Sequence, residues 1–394
     1  MSRQKVVDSM ITGTVSSSKL DGALPALNGA NLTGVGDGVL KGGNDPATDT
    51  NPAAGVGAVW LNTSSGSMYI CTDATTDANV WINVGGGSGD VQLFIFQGSI
   101  WAFNAGGNPG SGWGGTPTDQ ISKFSLTSDA NGVDVANLTD DRQSTAGCSS
   151  ATHGYTMSGY HANTAPGGGG YLNVVDKFSF TTGTDATDVG DLSVQRASMA
   201  AASSGNYAYA SGGDSAPGDS NVIDKTSTST DGNATNVGDI TVARQYTAGQ
   251  SSSSHGYISG GRAGGPARNE IDYFPFASDT NASDVGDMTS HRDSVAGQSS
   301  TTHGFVSGGV GNSNVIEKFS FASLNNATDV GDLTVGRMYC TGQSGTTHGY
   351  TSGGTISNTS LQNVIDKFAY SSNNNATDVG DMAAGRKATA GTQY

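Results

Sequence analysis

The sequence predicts an all-β fold. A six-bladed β-propeller is expected over residues 88–394, behind an extended N-terminal segment (1–45) and a small β-hairpin module (46–87). Three observations carry the prediction. An arginine recurs at Arg142, Arg196, Arg244, Arg292, Arg337 and Arg386, at successive intervals of 54, 48, 48, 45 and 49 residues, the period of propeller blades. The chain has 60 glycines and only 13% charged residues, with Val, Ile, Thr, Phe and Tyr in short runs, which favours short strands joined by glycine turns over a disordered chain. Finally, the two ends of the array complement each other.

From the N-terminus, residues 1–45 carry little that could form a core. The stretch Lys19–Gly34 spaces its leucines between glycines and asparagines and cannot offset its own ordering entropy alone; it is read as a docking or trimerising segment ordered by partner chains, a floppy tail being the alternative. Residues 57–62 and 67–71 alternate in character around Thr63-Ser-Ser-Gly66, a hairpin signal, and Asn79–Val84 adds a strand. Gly85–Asp90 reads as a linker.

In the array, a Val-Gly-Asp motif precedes five of the arginines: Val189, Val237, Val285, Val330 and Val379 begin it, and Val135-Ala-Asn-Leu138 is a degenerate first copy. A small-residue stretch follows each arginine, then an aromatic strand ending in Gly-Gly, as in His255–Gly261, His303–Gly309 and His348–Gly354. The copy at His153–Tyr160 is read as lacking its second glycine. After a loop of variable length comes a strand such as Val175–Phe180, Ile316–Phe321 or Ile365–Tyr370. Arg386–Gly391 begins a seventh unit that the chain does not finish. Ser99–Gly107 supplies its aromatic strand, so a blade built from both ends would close the ring; alternatively Val91–Phe96 supplies the first strand in place of the C-terminal one, which is then left as an extra.

The formal net charge of −16 argues against nucleic acid and anionic lipid as partners. Cys71, Cys148 and Cys340 are odd in number and widely spaced, which offers neither a disulfide framework nor a metal motif. No apolar stretch follows Met1, so neither a signal peptide nor membrane insertion is expected.

The repeat positions read as structural. The six arginines are expected to pair with nearby acids (Asp191 with Arg196, Asp332 with Arg337), a ligand-binding arginine ring being the alternative. His153, His255, His303 and His348 occupy one position in four repeats and are read as strand-start residues bonding backbone. The Asp-rich turns could hold calcium, but side-chain turn chemistry explains them. No catalytic residue, cofactor or metal site is expected. Binding residues are sought where the pattern breaks, in the loops after Gly-Gly: Trp113, Tyr160, His161, Tyr171, Arg262 and Arg268. Loops on a rigid scaffold carry recognition.

The array resembles kelch repeats: Ile316-Glu-Lys-Phe319, the Val330–Arg337 segment and Gly353-Gly354 match in order and approximate spacing. The family's tryptophan in the last strand is missing, with Val330 and its equivalents in its place. Residues 24–33 and the 59–71 hairpin resemble bacteriophage fibre proteins. That resemblance implies a homotrimeric virion component of tail-fibre type, bound to other virion proteins through its N-terminus and presenting the propeller to a host-surface glycan or protein. A capsid fibre or decoration protein and an intracellular kelch-type interaction module are the alternatives. A propeller glycan hydrolase fits less well, because no acid cluster stands out from the repeat.

Overall fold

The computed structural model describes residues 39–85, 96–110, 115–161, 170–357 and 360–394. Among these residues every regular element is a β-strand. The chain divides into two units, Met1–Gln92 and Leu93–Tyr394.

In the first unit, β1 (Val39–Gly42), β2 (Val59–Asn62), β3 (Met68–Asp73) and β4 (Val80–Gly85) form one sheet in that order. The β2–β3 and β3–β4 pairs are antiparallel, and β1 adds in parallel beside β2. The Asn62 side chain fixes the β2–β3 turn by accepting the N–H groups of Ser64 and Ser65, the local bonding that makes asparagine a turn residue. Ala58, Tyr69, Cys71 and Trp81 form the core, with Trp60 edge-on to Trp81 at 6.4 Å. The leucine-glycine stretch at 19–34 lies outside the described residues.

The second unit holds six four-stranded antiparallel sheets among its described residues. Sheet 1 contains Trp101–Ala105, Gln120–Ser125 and Val133–Asn137, and its first position is filled by the C-terminal strand Ala390–Gln393, with Ala390 opposite Ala105 and Gln393 opposite Ala102. Sheets 2 to 6 begin at Ala146–Ser149, Ala200–Ser203, Ala248–Ser251, Ala296–Ser299 and Thr341–Ser344 and run outward in chain order. Sheet 6 carries an added two-stranded hairpin, Thr355–Ser357 with Ser360–Leu361. The pairing of the C-terminal strand with Trp101–Ala105 is the first of the two arrangements expected from the sequence; residues 91–95 lie outside the described residues.

Local sequence explains the close approach of the sheets. The second residue of the first strand is glycine in five of the six sheets. A Cβ on Gly342 would stand 2.0 Å from the carbonyl oxygen of Gly297, and one on Gly391 2.3 Å from that of Gly342. Backbone therefore packs on backbone where the first strands meet. The Gly-Gly pairs serve the next contact outward: Gly260 and Gly261 adopt φ of +61° and +102°, and a Cβ on Gly260 would meet the Arg292 carbonyl of the following sheet at 2.6 Å. In sheet 2 the expected loss is reversed. Ser158 takes the first glycine's place with φ +53°, and Gly159 keeps the second. The Ser158 hydroxyl lies between the Leu172 and Arg196 carbonyls and shares its one proton with them, a local compensation for a residue in the left-handed region.

Two circuits of hydrogen bonds link the sheets. At the start of each first strand, Ser144, Ser198, Tyr246, Ser294, Tyr339 and Ala388 all have φ between +56° and +60°. Each donates its backbone N–H to the carbonyl of the residue before it in this series, and Ser144 donates to Ala388. At the strand ends, Ser149, Ser203, Ser251 and Ser299 each donate a backbone N–H to the hydroxyl of the next serine, ending at Ser344. Ser344 then donates to the Gln393 amide oxygen, and Gln393 to Ser149. Farther out, aromatic rings join neighbouring sheets: Tyr209 stacks on Phe276, Tyr257 on Phe321 and Phe305 on Tyr370 at 4.7–5.0 Å, contacts worth about 0.5–1.5 kcal/mol each beyond burial.

The repeated arginines are buried at 0–4% exposure. They do not pair with the acids expected from the sequence. Arg196 pairs with Asp224 at 2.9 Å and Arg337 with Asp366 at 2.8 Å, as Arg142 does with Asp176, Arg244 with Asp272 and Arg292 with Glu317. Each arginine turns inward across its own sheet to an acid on the third strand. Asp191 and Asp332, at the ends of outermost strands, instead donate backbone N–H groups to Asn233 and Asn375 of the following sheet. Each third-strand acid also accepts a hydroxyl from Thr139, Ser193, Thr241, Thr289 or Thr334. Sheet 1 departs from this: Ser122 stands in the place of the acid and Ala383 in the place of the hydroxyl residue, and Arg386 bonds the Gly106 and Gln120 carbonyls and the Ser122 hydroxyl. Burial lowers Arg386 to about 10.

The Asp-rich turns are held by side-chain turn bonds. Asp188, Asp284, Asp329 and Asp378 each accept the N–H two residues ahead, as asparagine and aspartate do in tight turns. His153, His255, His303 and His348 place Nδ1 2.8 Å from the hydroxyl of the preceding residue, a side-chain partner where backbone was expected.

Candidate functional site

The residue following each Gly-Gly pair, or following Ser158-Gly159 in sheet 2, occupies an equivalent place. Asn108, Tyr160, Asp214, Arg262, Val310 and Thr355 each bond through the backbone to the residue just after a repeated arginine: Lys387, Gln143, Ala197, Gln245, Asp293 and Met338. Six equivalent backbone positions thus carry six different side chains. They surround the circuit of positive-φ residues at the start of the first strands. A regular scaffold with irregular chemistry at one end is the arrangement that supports selective binding.

A recess of about 460 Å³ opens beside this circuit, lined by Gln143, Tyr160, Tyr171, Asp214 and Tyr246 together with small residues of the circuit. The long hairpin of sheet 2, His153–His161 with Gly170–Ser179, supplies Tyr160 and Tyr171, which are register partners. Their rings meet edge to face at 5.6 Å. The Tyr171 hydroxyl donates to Asp214 Oδ2 at 2.7 Å, and burial followed by this carboxylate raises its pKa. Burial also pushes Tyr246 up to about 12, so both phenols stay protonated near neutrality. Gln143, which also lines the recess, is 1% exposed and accepts the Asn108 amide through Oε1 at 2.8 Å.

Tyr246 reaches Tyr339 edge to face at 5.5 Å, although Ser294 lies between them in the circuit. The Arg262 guanidinium stands 5.0 Å over the Tyr246 ring, a cation–π contact. A second cavity of about 120 Å³ runs along the first strands from Ser144, Tyr246 and Tyr339 to Phe96, Ser344 and Gln393. At that far end the preceding chain docks: Gln97 donates to the Ser299 carbonyl and Gly98 to the Ser344 carbonyl.

Tyr160 and Tyr171 therefore come together, and Arg262 lies next to them through Tyr246. His161 and Arg268 face other partners. His161 Nδ1 lies 3.2 Å from Asp140 Oδ1 and 3.3 Å from Asp141 Oδ1. Those three residues form the one group among the described residues whose donor atoms gather closely enough, within 4.8 Å, to hold a metal ion. Arg268 forms a two-pronged pair with Glu270. Trp113 lies outside the described residues. Sequence reasoning missed Gln143, Asp214 and Tyr246. The signal was present for Asp214 as the first residue after Gly-Gly, and for Tyr246 as a bulky residue where four of the six copies have serine or alanine.

The arginine ring considered from sequence has no access to this site, because its guanidinium groups are buried within the sheets. No helix among the described residues is long and apolar enough to cross a membrane. No protein-family model matches the chain, and no curated protein matches it.

Proposed function

We propose that the chain is a virion structural protein of bacteriophage tail-fibre type, and that its Leu93–Tyr394 unit is a six-bladed kelch-like β-propeller that attaches to a host surface. The two hydrogen-bond circuits and the pairing of Ala390–Gln393 with Trp101–Ala105 support a ring without free inner edges, which suits a protein exposed to the exterior. The observation that carries the attachment reading is polarity. The preceding chain docks at one end of the first strands, at Ser299 and Ser344, while the chemically varied positions and the tyrosine recess lie at the other. A tether at one end and a recess at the opposite end is the geometry of a presented binding head. The first unit would then serve oligomerisation and anchoring to other virion proteins, as a homotrimer, and binding rather than catalysis is the activity.

The test is the absolute mass of the full chain beside that of a chain starting at Ser88. A full-length trimer with a folded monomeric head supports the reading. A monomer in both cases sinks it and favours an intracellular interaction module.

A further inference from the structure

We infer that the recess between Tyr160, Tyr171, Asp214 and Tyr246 binds a neutral saccharide, one pyranose lying on tyrosine rings with its hydroxyls on Asp214 and Gln143. The inference rests on the attachment reading and narrows its ligand. Three features favour this class. The recess presents three aromatic rings within one 460 Å³ space, and an aromatic face is a platform for the C–H face of a sugar ring. Its fixed charge is a carboxylate: Asp214 Oδ2 is held by the Tyr171 hydroxyl at 2.7 Å, so Oδ1 is positioned to accept a hydroxyl, and charge-assisted bonds of this kind are the strong ones. Its buried donor is the Gln143 amide, oriented by Asn108 at 2.8 Å. An acceptor and a donor fixed on either side of aromatic rings match a molecule that carries hydroxyls around an apolar face.

Charge excludes the acidic counterpart. A sugar carboxylate would face Asp214 within a chain of net charge −16, and like charges brought together in a partly dry site repel. Arg262 does not reverse this, because it stands over Tyr246 rather than among the residues that line the recess.

The experiment is saturation-transfer NMR on the full chain with the methyl glycosides of glucose, galactose, mannose and N-acetylglucosamine, and with glucuronic acid. Asp214→Asn, Tyr171→Phe and Tyr246→Ala are compared with Arg268→Gln, whose side chain is paired to Glu270 outside the recess. At least one neutral glycoside is expected to bind, with affinity falling about tenfold or more in Asp214→Asn, the loss of a charged hydrogen bond. Tyr171→Phe, which frees the Asp214 carboxylate without emptying the recess, should show a smaller fall even where Tyr246→Ala fails to fold. Arg268→Gln should bind as the native chain does. Absence of signal from every neutral glycoside, tighter binding of glucuronic acid, or binding indifferent to Asp214→Asn would each overturn the inference. A trimer that binds none of these sugars would leave the attachment reading standing with a different ligand. A monomer that binds them through Asp214 would leave the site and remove the fibre.

Discussion

Replacing Arg337 with methionine should cost far more stability than the same change at Arg386, although the two arginines hold equivalent places in the repeat. Arg337 is fully buried and paired with Asp366 at 2.8 Å. Removing it strands a buried carboxylate that keeps only the Thr334 hydroxyl and N–H. Breaking a buried pair in this way costs about 3–5 kcal/mol. Arg386 faces Ser122 instead of an acid, so its loss uncovers no opposite charge. Arg386→Met gives up hydrogen bonds to Gly106 and Gln120 but also relieves the cost of burying a cation, for a net of about 0–2 kcal/mol. With an unfolding entropy near 2.1 cal/mol/K per residue over roughly 300 residues, 1 kcal/mol moves the melting temperature by about 1.6 °C. Scanning calorimetry should therefore show a fall of about 5–8 °C for Arg337→Met and at most about 3 °C for Arg386→Met. Equal losses, or a larger loss at Arg386, would refute the view that the acid on the third strand makes the arginine indispensable.

Restoring both missing partners, Ser122→Asp with Ala383→Thr, should raise the melting temperature above that of Ser122→Asp alone, because the new acid needs the hydroxyl that its five counterparts accept; a double-mutant cycle in the same calorimeter checks the coupling. Lowering the pH from about 7.5 to 5.5 should destabilise the fold. Burial depresses the pKa values of His153, His255, His303 and His348, so the unfolded chain binds more protons as pH falls through the ordinary histidine value. The stability that these groups contribute above that value is then lost, and a variant with all four changed to glutamine should show a flatter melting profile with pH. Cys71, Cys148 and Cys340 are buried, and burial pushes the Cys148 thiol up to about 12. A thiol reagent at pH 8 should therefore label none of them in the folded chain and all three after denaturation.

The repeat made much of the architecture legible, and the physical reason is redundancy. Each copy repeats the same glycines because each first strand meets a neighbour at backbone distance, as Gly342 meets Gly297, and that constraint appears in the sequence five times. Partner choice was less legible. Asp191 lies five residues from Arg196, and Asp224 lies 28 residues away; sequence proximity pointed to the wrong acid because the arginine side chain crosses its own sheet to the third strand. Ser158 was misread for a related reason. A hydroxyl that bonds two carbonyls can hold the left-handed conformation of the glycine that it replaces, and spacing alone did not show which glycine was lost. In the recess, Tyr160 and Tyr171 stood out because they sit in an insertion. Asp214 and Tyr246 each break the repeat, but neither lies in an insertion, and their meeting with Gln143 from three sheets is visible only in the fold.

The proposed propeller requires the C-terminal strand to lie against Trp101–Ala105 of its own chain. Ala105→Cys with Ala390→Cys places two cysteines at paired positions on neighbouring strands, within the reach of a disulfide. After the full-length chain is refolded in a thiol–disulfide redox buffer, so that the pair can close before it is buried, intact-mass analysis and non-reducing gels should show one disulfide within each chain and no covalent multimer. Chains linked to one another would mean that the strand is exchanged between copies, and failure to form any bond would mean that the ends do not meet; either result would contradict the closed ring on which the tether, the recess and the proposed function all rest.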